Sequence, residues 1–235
     1  MMKKSAKIAL YTLVAVLFSL PVSAQGDWKR ETEKAVSIVS EGRLHREISF
    51  LTDSLCNGRA TGTKGATEAA FWISRKFEKA GLLPVENGYG LHFATHTGAS
   101  GHNIIGMIPG ALTMPRDRYI IIGAHYDHLG VLNGKMFPGA DANASGTVVL
   151  TSLADMFGAM KEMGKVYDCN IIFVAFDAKE MDMTGSSVLW KLIDYGMLKD
   201  PITAESITKD KISAMVNIDQ IGSSISPIHK DRPDY

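Results

Sequence analysis

The sequence predicts an α/β fold of three layers, with a mixed, mostly parallel sheet between helices. Residues 119–124, 170–176 and 212–218 form short, β-branched, almost continuously apolar runs, the pattern of strands buried on both faces. Helical stretches at 145–160 and 186–195 alternate with those runs, as crossovers between parallel strands require. Ionisable residues gather directly after the runs, where open α/β sheets bind ligands.

At the amino terminus, Lys3, Lys4 and Lys7 precede an apolar run over 8–20, and Val22-Ser23-Ala24 supplies small residues for cleavage. Residues 1–24 therefore read as a secretory signal peptide, and the expected location is periplasmic or extracellular. The apolar run is shorter than the ~20 residues that span a bilayer, so no stable membrane anchor is expected after cleavage. Residues 25–235 suffice for a single domain with a full core. With 46% apolar and 21% charged residues, and 25 basic against 25 acidic side chains, neither disorder nor a nucleic-acid partner is favoured. Cys56 and Cys169 read equally as a disulfide of an oxidising compartment or as two buried thiols.

After the signal, Ala35, Ile38, Val39, Leu44, Ile48 and Leu51 recur at helical spacing, and a second amphipathic helix spans 66–80 with Ala70, Phe71, Ile73 and Phe77 on one stripe. Residues 103–107 predict a strand nearer the sheet edge, and 85–93 a weaker one. Glycine-rich stretches at 58–65, 88–90 and 130–139 read as loops.

The polar residues at the strand ends carry the chemistry. The first run ends in His125-Tyr126-Asp127-His128, the second in Asp177-Ala178-Lys179-Glu180 and the third in Asp219, while Asp141 precedes the helix after the first run. Several carboxylates beside a histidine need compensating positive charge, and a bound metal supplies it. Imidazole with carboxylates suits zinc, and a His-x-Asp pair allows the histidine to bind metal while the aspartate orients it.

Four segments in order, 123–127, 138–146, 176–186 and 217–222, resemble the di-zinc exopeptidases of metallopeptidase family twenty-eight, which includes secreted bacterial aminopeptidases. The likeness runs from about Leu51 to Gly222, and Gly58-Arg59-Ala60-Thr61-Gly62-Thr63 resembles the family's glycine-rich loop. The resemblance implies that His125, Asp141 and Asp219 bind one zinc, that Asp141 bridges to a second, that Glu180 binds the second, and that Asp127 orients His125. It also implies a cis peptide bond joining Asp141 to Ala142, and a peptide as substrate.

Two departures bear on activity. The family places adjacent glutamates after its second buried strand, but this chain has Lys179-Glu180, so lysine occupies the general-base position. A carboxylate there takes a proton from the attacking water and returns it to the leaving amine, whereas an ammonium has no lone pair to accept one. The family's last zinc ligand is a histidine well beyond the Asp219 position; His229 lies too close to Asp219 to be expected in that role. The final residues lack helix or strand character, so the last strands of the family's sheet are expected to be missing and the domain incomplete at its carboxyl end. Of the two zinc sites that the resemblance implies, one or none is then expected.

The resemblance implies an exported zinc-dependent exopeptidase, aminopeptidase-like, that hydrolyses N-terminal peptide bonds. Against it stands a catalytically silent relative that binds a peptide or another partner, with Lys179 a resident cation among Asp141, Glu180 and Asp219. Acyl transfer, as in glutaminyl cyclases that share the framework, also uses an acidic residue at the base position, so Lys179 counts against it. With the final histidine absent, Lys179→Glu alone is expected not to restore turnover.

Overall fold

The computed structural model describes residues 28–111 and 117–223. The expected signal peptide and His229 lie outside the described residues. Among the described residues no helix is long and apolar enough to cross a membrane.

The periodic stretch over 35–51 is two helices, α1 (Trp28–Ser37) and α2 (Glu41–Leu51). Ser40 divides them: its backbone is extended and its hydroxyl accepts from the Arg43 N–H, which starts a new helix. A short turn (Asn57–Arg59) leads to α3 (Lys64–Lys79), capped by the Thr63 hydroxyl on the Ala66 N–H. The weaker strand candidate divides into β1 (Leu83–Pro84) and β2 (Gly90–Ala94), because the chain turns at Glu86 and Gly88. Next come β3 (Ser100–Ile108) and β4 (Tyr119–His125). The stretch predicted as a loop at 130–139 contains a hairpin, β5 (Gly130–Leu132) and β6 (Lys135–Phe137). Asn133 and Gly134, both at positive φ, form the tight turn that joins them. An irregular turn (Ala140–Ser145), non-helical at Ala142 and Asn143, then precedes α4 (Gly146–Glu162), β7 (Asn170–Phe176), α5 (Thr184–Asp194) and β8 (Ile212–Asn217).

The main sheet runs β1-β3-β7-β4-β8, with β2 also paired to β3. β4 is parallel to both β7 and β8, whereas β3 is antiparallel to β7. The central strands alternate between two cores. Ile120, Ile122, Ala124, Ile171 and Phe173 face one side with residues of α2, α3 and α4. Tyr119, Ile121, Ile172, Val174 and Phe176 face the other with Leu189 and Ile193 of α5. That division produces the three layers and explains why these runs are apolar throughout. Because β7, β4 and β8 are parallel, their carboxyl ends form one rim. Cys56 is buried and Cys169 half-buried, and both are free thiols.

Candidate functional site

The floor of the rim is held by buried polar groups. Arg59 is fully buried; it donates to the carbonyls of Tyr126 at 2.7 Å, Pro138 at 2.9 Å and Gly139 at 2.9 Å, and to that of Leu51. Burial lowers its pKa to about 10, so it remains a cation at neutral pH. One guanidinium thus joins α2, the end of β4 and the segment entering the turn at Ala140–Ser145. Asp177 does more than cap a turn. Its carboxylate accepts from Thr61 Oγ1 at 2.7 Å, the His102 N–H at 2.9 Å, the Ala178 N–H at 2.7 Å and the Tyr126 hydroxyl at 3.1 Å. Burial raises its pKa, partly opposed by these donors.

Above this floor stands His125, 4% exposed. Its Nδ1 lies 3.1 Å from the Asp127 carbonyl oxygen and 3.5 Å from Asp127 Oδ1. Because a carbonyl only accepts, Nδ1 is the donor in this contact. Nε2 is buried without a hydrogen-bond partner and faces Asp219 Oδ1 at 3.4 Å. Ligands about 2.0–2.1 Å from a tetrahedral zinc stand roughly 3.3–3.4 Å apart, so this pair has the spacing of two such ligands, fewer than the three or four protein ligands that zinc sites use.

The remaining sequence-predicted residues lie on the same rim but are otherwise engaged. Asp141 accepts the Gly222 N–H at 2.8 Å and the Ser223 hydroxyl. Glu180 Oε1 receives Lys179 Nζ at 2.9 Å, and the Glu180 N–H donates to Asp127 Oδ2 at 3.0 Å. Among the described residues, no three His, Cys, Asp or Glu side chains are gathered closely enough to hold a metal ion. His125 and Asp219 are brought together, whereas Asp141 and Glu180 are engaged by other partners. The cis peptide bond joins Ala142 to Asn143, one position beyond where it was expected.

Two further residues belong to this site, of which the sequence reading passed over Asn143. Asn143 is fully buried; its amide nitrogen donates to the carbonyls of His125 at 3.2 Å and Ile218 at 2.9 Å. Its amide oxygen accepts the N–H groups of Gly146 and Gln220, each at 3.1 Å. Asn143 is thus the tie between the ends of β4 and β8. Gly146 permits this approach, since a Cβ there would lie 2.6 Å from the Ile218 carbonyl oxygen. His128 is the other. Its Nδ1 is buried without a partner and its ring packs on Gly139. Its place three residues after His125 was the available signal.

His102 supplies a pH test. It lies opposite His92 in the β2/β3 register, with ring centroids 4.5 Å apart. Burial first, then His92, lower its pKa below the ordinary 6.5. The unfolded chain therefore takes up this proton at higher pH than the folded chain. Stability is full above the unfolded pKa and is lost as pH falls toward the folded one. Urea unfolding at a series of pH values should show stability falling below pH ~6.5, and a shallower fall in His102→Gln. An unchanged slope in that variant would count against the assignment.

The profile of peptidase family M28 matches residues 103–231. Among solved structures, LapA of Legionella pneumophila is 19% identical, with a TM-score of 0.60 over 86% of this chain and 49% of its own. LapB of the same organism is 20% identical, with a TM-score of 0.58 over 89% of this chain and 51% of its own. BSAP, a zinc aminopeptidase from Bacillus subtilis, is 14% identical, with a TM-score of 0.55 over 76% of this chain and 69% of its own. The chain spans about half the length of the two Legionella proteins. These likenesses establish the three-layer α/β fold.

Proposed function

Because the chain belongs to peptidase family M28, we propose that it is an exported zinc-exopeptidase framework of the aminopeptidase kind, one that engages the amino-terminal end of a peptide but has lost the proton acceptor needed to hydrolyse it. The observation that carries this is the contact of Lys179 Nζ with Glu180 Oε1 at 2.9 Å. At the position where the family's base would take a proton there is a charged donor. Its hydrogen bond to Glu180, helped by the attraction of Asp219 and Asp127, raises the pKa of Lys179 and keeps the proton in place.

Zinc, when bound, would supply a Lewis acid that polarises a peptide carbonyl and acidifies water. His125 and Asp219 would supply two of its ligands. Asp127 orients the His125 ring through its carbonyl and, with Oδ2, anchors the backbone of Glu180. Arg59 and Asn143 fix the chain on either side of His125. Each of these groups positions, and at the family's base position the chain offers an ammonium in place of a proton acceptor. Proton transfer of that kind contributes typically about 10²–10⁴-fold in rate, so its loss is enough to silence turnover while leaving recognition intact.

The alternative is an active enzyme that hydrolyses N-terminal peptide bonds, favoured by the unpartnered His125 Nε2 facing Asp219. Assays with zinc-loaded protein and a panel of aminoacyl p-nitroanilides distinguish the two. We expect no zinc-dependent turnover, together with saturable binding of fluorescent peptides that is lost when their amino terminus is acetylated. A kcat in the ordinary enzyme range, about 1 s⁻¹ or more, would establish the active alternative.

A further inference from the structure

The hairpin β5–β6 is set into the rim. It leaves the segment of His125 and Asp127 at His128 and returns to the segment of Asp141 at Pro138. One residue clamps both of its ends: the Arg59 carbonyl accepts the His128 N–H at 3.2 Å, and the Arg59 guanidinium donates to the Pro138 carbonyl at 2.9 Å. Glycine lets its base lie directly on the loop at 58–60. A Cβ on Gly130 would stand 2.6 Å from that of Ala60, and a Cβ on Gly58 would stand 2.6 Å from the Phe137 carbonyl oxygen. An isolated two-stranded hairpin is marginal in water, so these contacts fix where this one stands. Its first strand, with the residue before it, leaves three branched aliphatic side chains in solvent: Leu129 is 37% exposed, Val131 46% and Leu132 47%. None of the three belongs to either core cluster. The one charged side chain of the hairpin is Lys135, paired opposite Leu132 with its Nζ 5.5 Å from the centroid of the Phe137 ring.

We propose that this hairpin selects the bound peptide: Leu129, Val131 and Leu132 receive apolar side chains at the second and third residues of a peptide whose amino terminus sits on the rim. This rests on the amino-terminal peptide binding proposed above. A peptide held by its first residue must leave the rim across one of its walls, and the hairpin is the wall that joins the His125 segment to the Asp141 segment. Adjacent aliphatic groups left in water gain when a ligand side chain covers them, because apolar surface is withdrawn from water on both partners. A wall clamped beforehand loses little freedom when this happens, so more of the gain appears as affinity. The Lys135 ammonium adds a sign: it repels basic side chains brought to the same surface.

The test is a titration of the full chain, with zinc supplied, into short peptides that carry a carboxyl-terminal fluorophore and leucine, serine or lysine at both the second and third residues. Anisotropy reads the affinity. Covering about half of each leucine side chain gives the leucine peptide an advantage of about 10- to 100-fold over serine, with lysine the weakest. Val131→Ser combined with Leu132→Ser should reduce that ratio at least about 5-fold. Val131→Glu combined with Leu132→Glu should bring lysine above serine, a gain that damage to the fold would not produce. Equal affinity for the three peptides in the unmutated chain would overturn the assignment whether or not any variant folds. So would a leucine preference that survives the serine substitutions. If binding in those cases is still lost on acetylation of the peptide, the amino-terminal reading stands and only the hairpin's role falls. Affinity that ignores acetylation for every peptide would overturn both.

Discussion

Replacing Arg59 by methionine is expected to lower the free energy of unfolding by about 3–5 kcal/mol, among the largest single-residue effects in this protein. Methionine fills much of the same space, so the loss isolates the guanidinium. Four carbonyls, those of Leu51, Tyr126, Pro138 and Gly139, lose their donor at once. Buried acceptors without donors each carry a desolvation penalty that water cannot relieve in a closed interior. Arg59→Lys should recover less than half of the loss, because a compact ammonium cannot serve carbonyls arranged around a planar fork. Urea unfolding of the two variants is the measurement. A methionine variant within about 1 kcal/mol of the parent would show that the rim is held by packing alone. The same variants should weaken zinc binding, since Tyr126 directly follows His125 and Gly139 lies two residues before Asp141.

Asn143→Asp is expected to destabilise by a similar amount, about 3–5 kcal/mol at neutral pH, although it changes one nitrogen to oxygen. The donor now directed at the carbonyls of His125 and Ile218 becomes a third acceptor among them. A carboxylate forced into this buried position would have its pKa raised by desolvation. Because the folded pKa then exceeds the unfolded one, stability is greater at low pH and is lost as pH rises through the folded value. The deficit of the variant should therefore shrink on acidification. A deficit of constant size across pH 4.5–8 would mean that charge is not the cause.

Much of the scaffold was legible from residue pattern. Strands β4 and β7 are buried at every position, and apart from Tyr119, Asn170 and His125 at their ends they carry no polar side chain, because both of their faces are covered. Their carboxyl ends, with that of β8, had to share a rim once the strands were parallel, so His125, Asp219 and Glu180 were brought to one edge by topology. The hairpin at 130–137 was missed because Asn133-Gly134 sits between strands of only three residues, too short for alternation to register.

What a side chain does at the rim was another matter. Arg59 gains its role from carbonyls 8, 67, 79 and 80 positions away, and Asn143 from one 75 positions away. Such partners leave no local trace. Asp141 and Glu180 are suitable ligands by residue type, yet one is bound to the segment after β8 and the other to its neighbouring lysine. By itself the sequence determined which groups reach the rim, because strand direction and apolar pattern are local properties. Only the tertiary structure decided which of those groups retain a free electron pair, because hydrogen bonds between distant segments consume the rest.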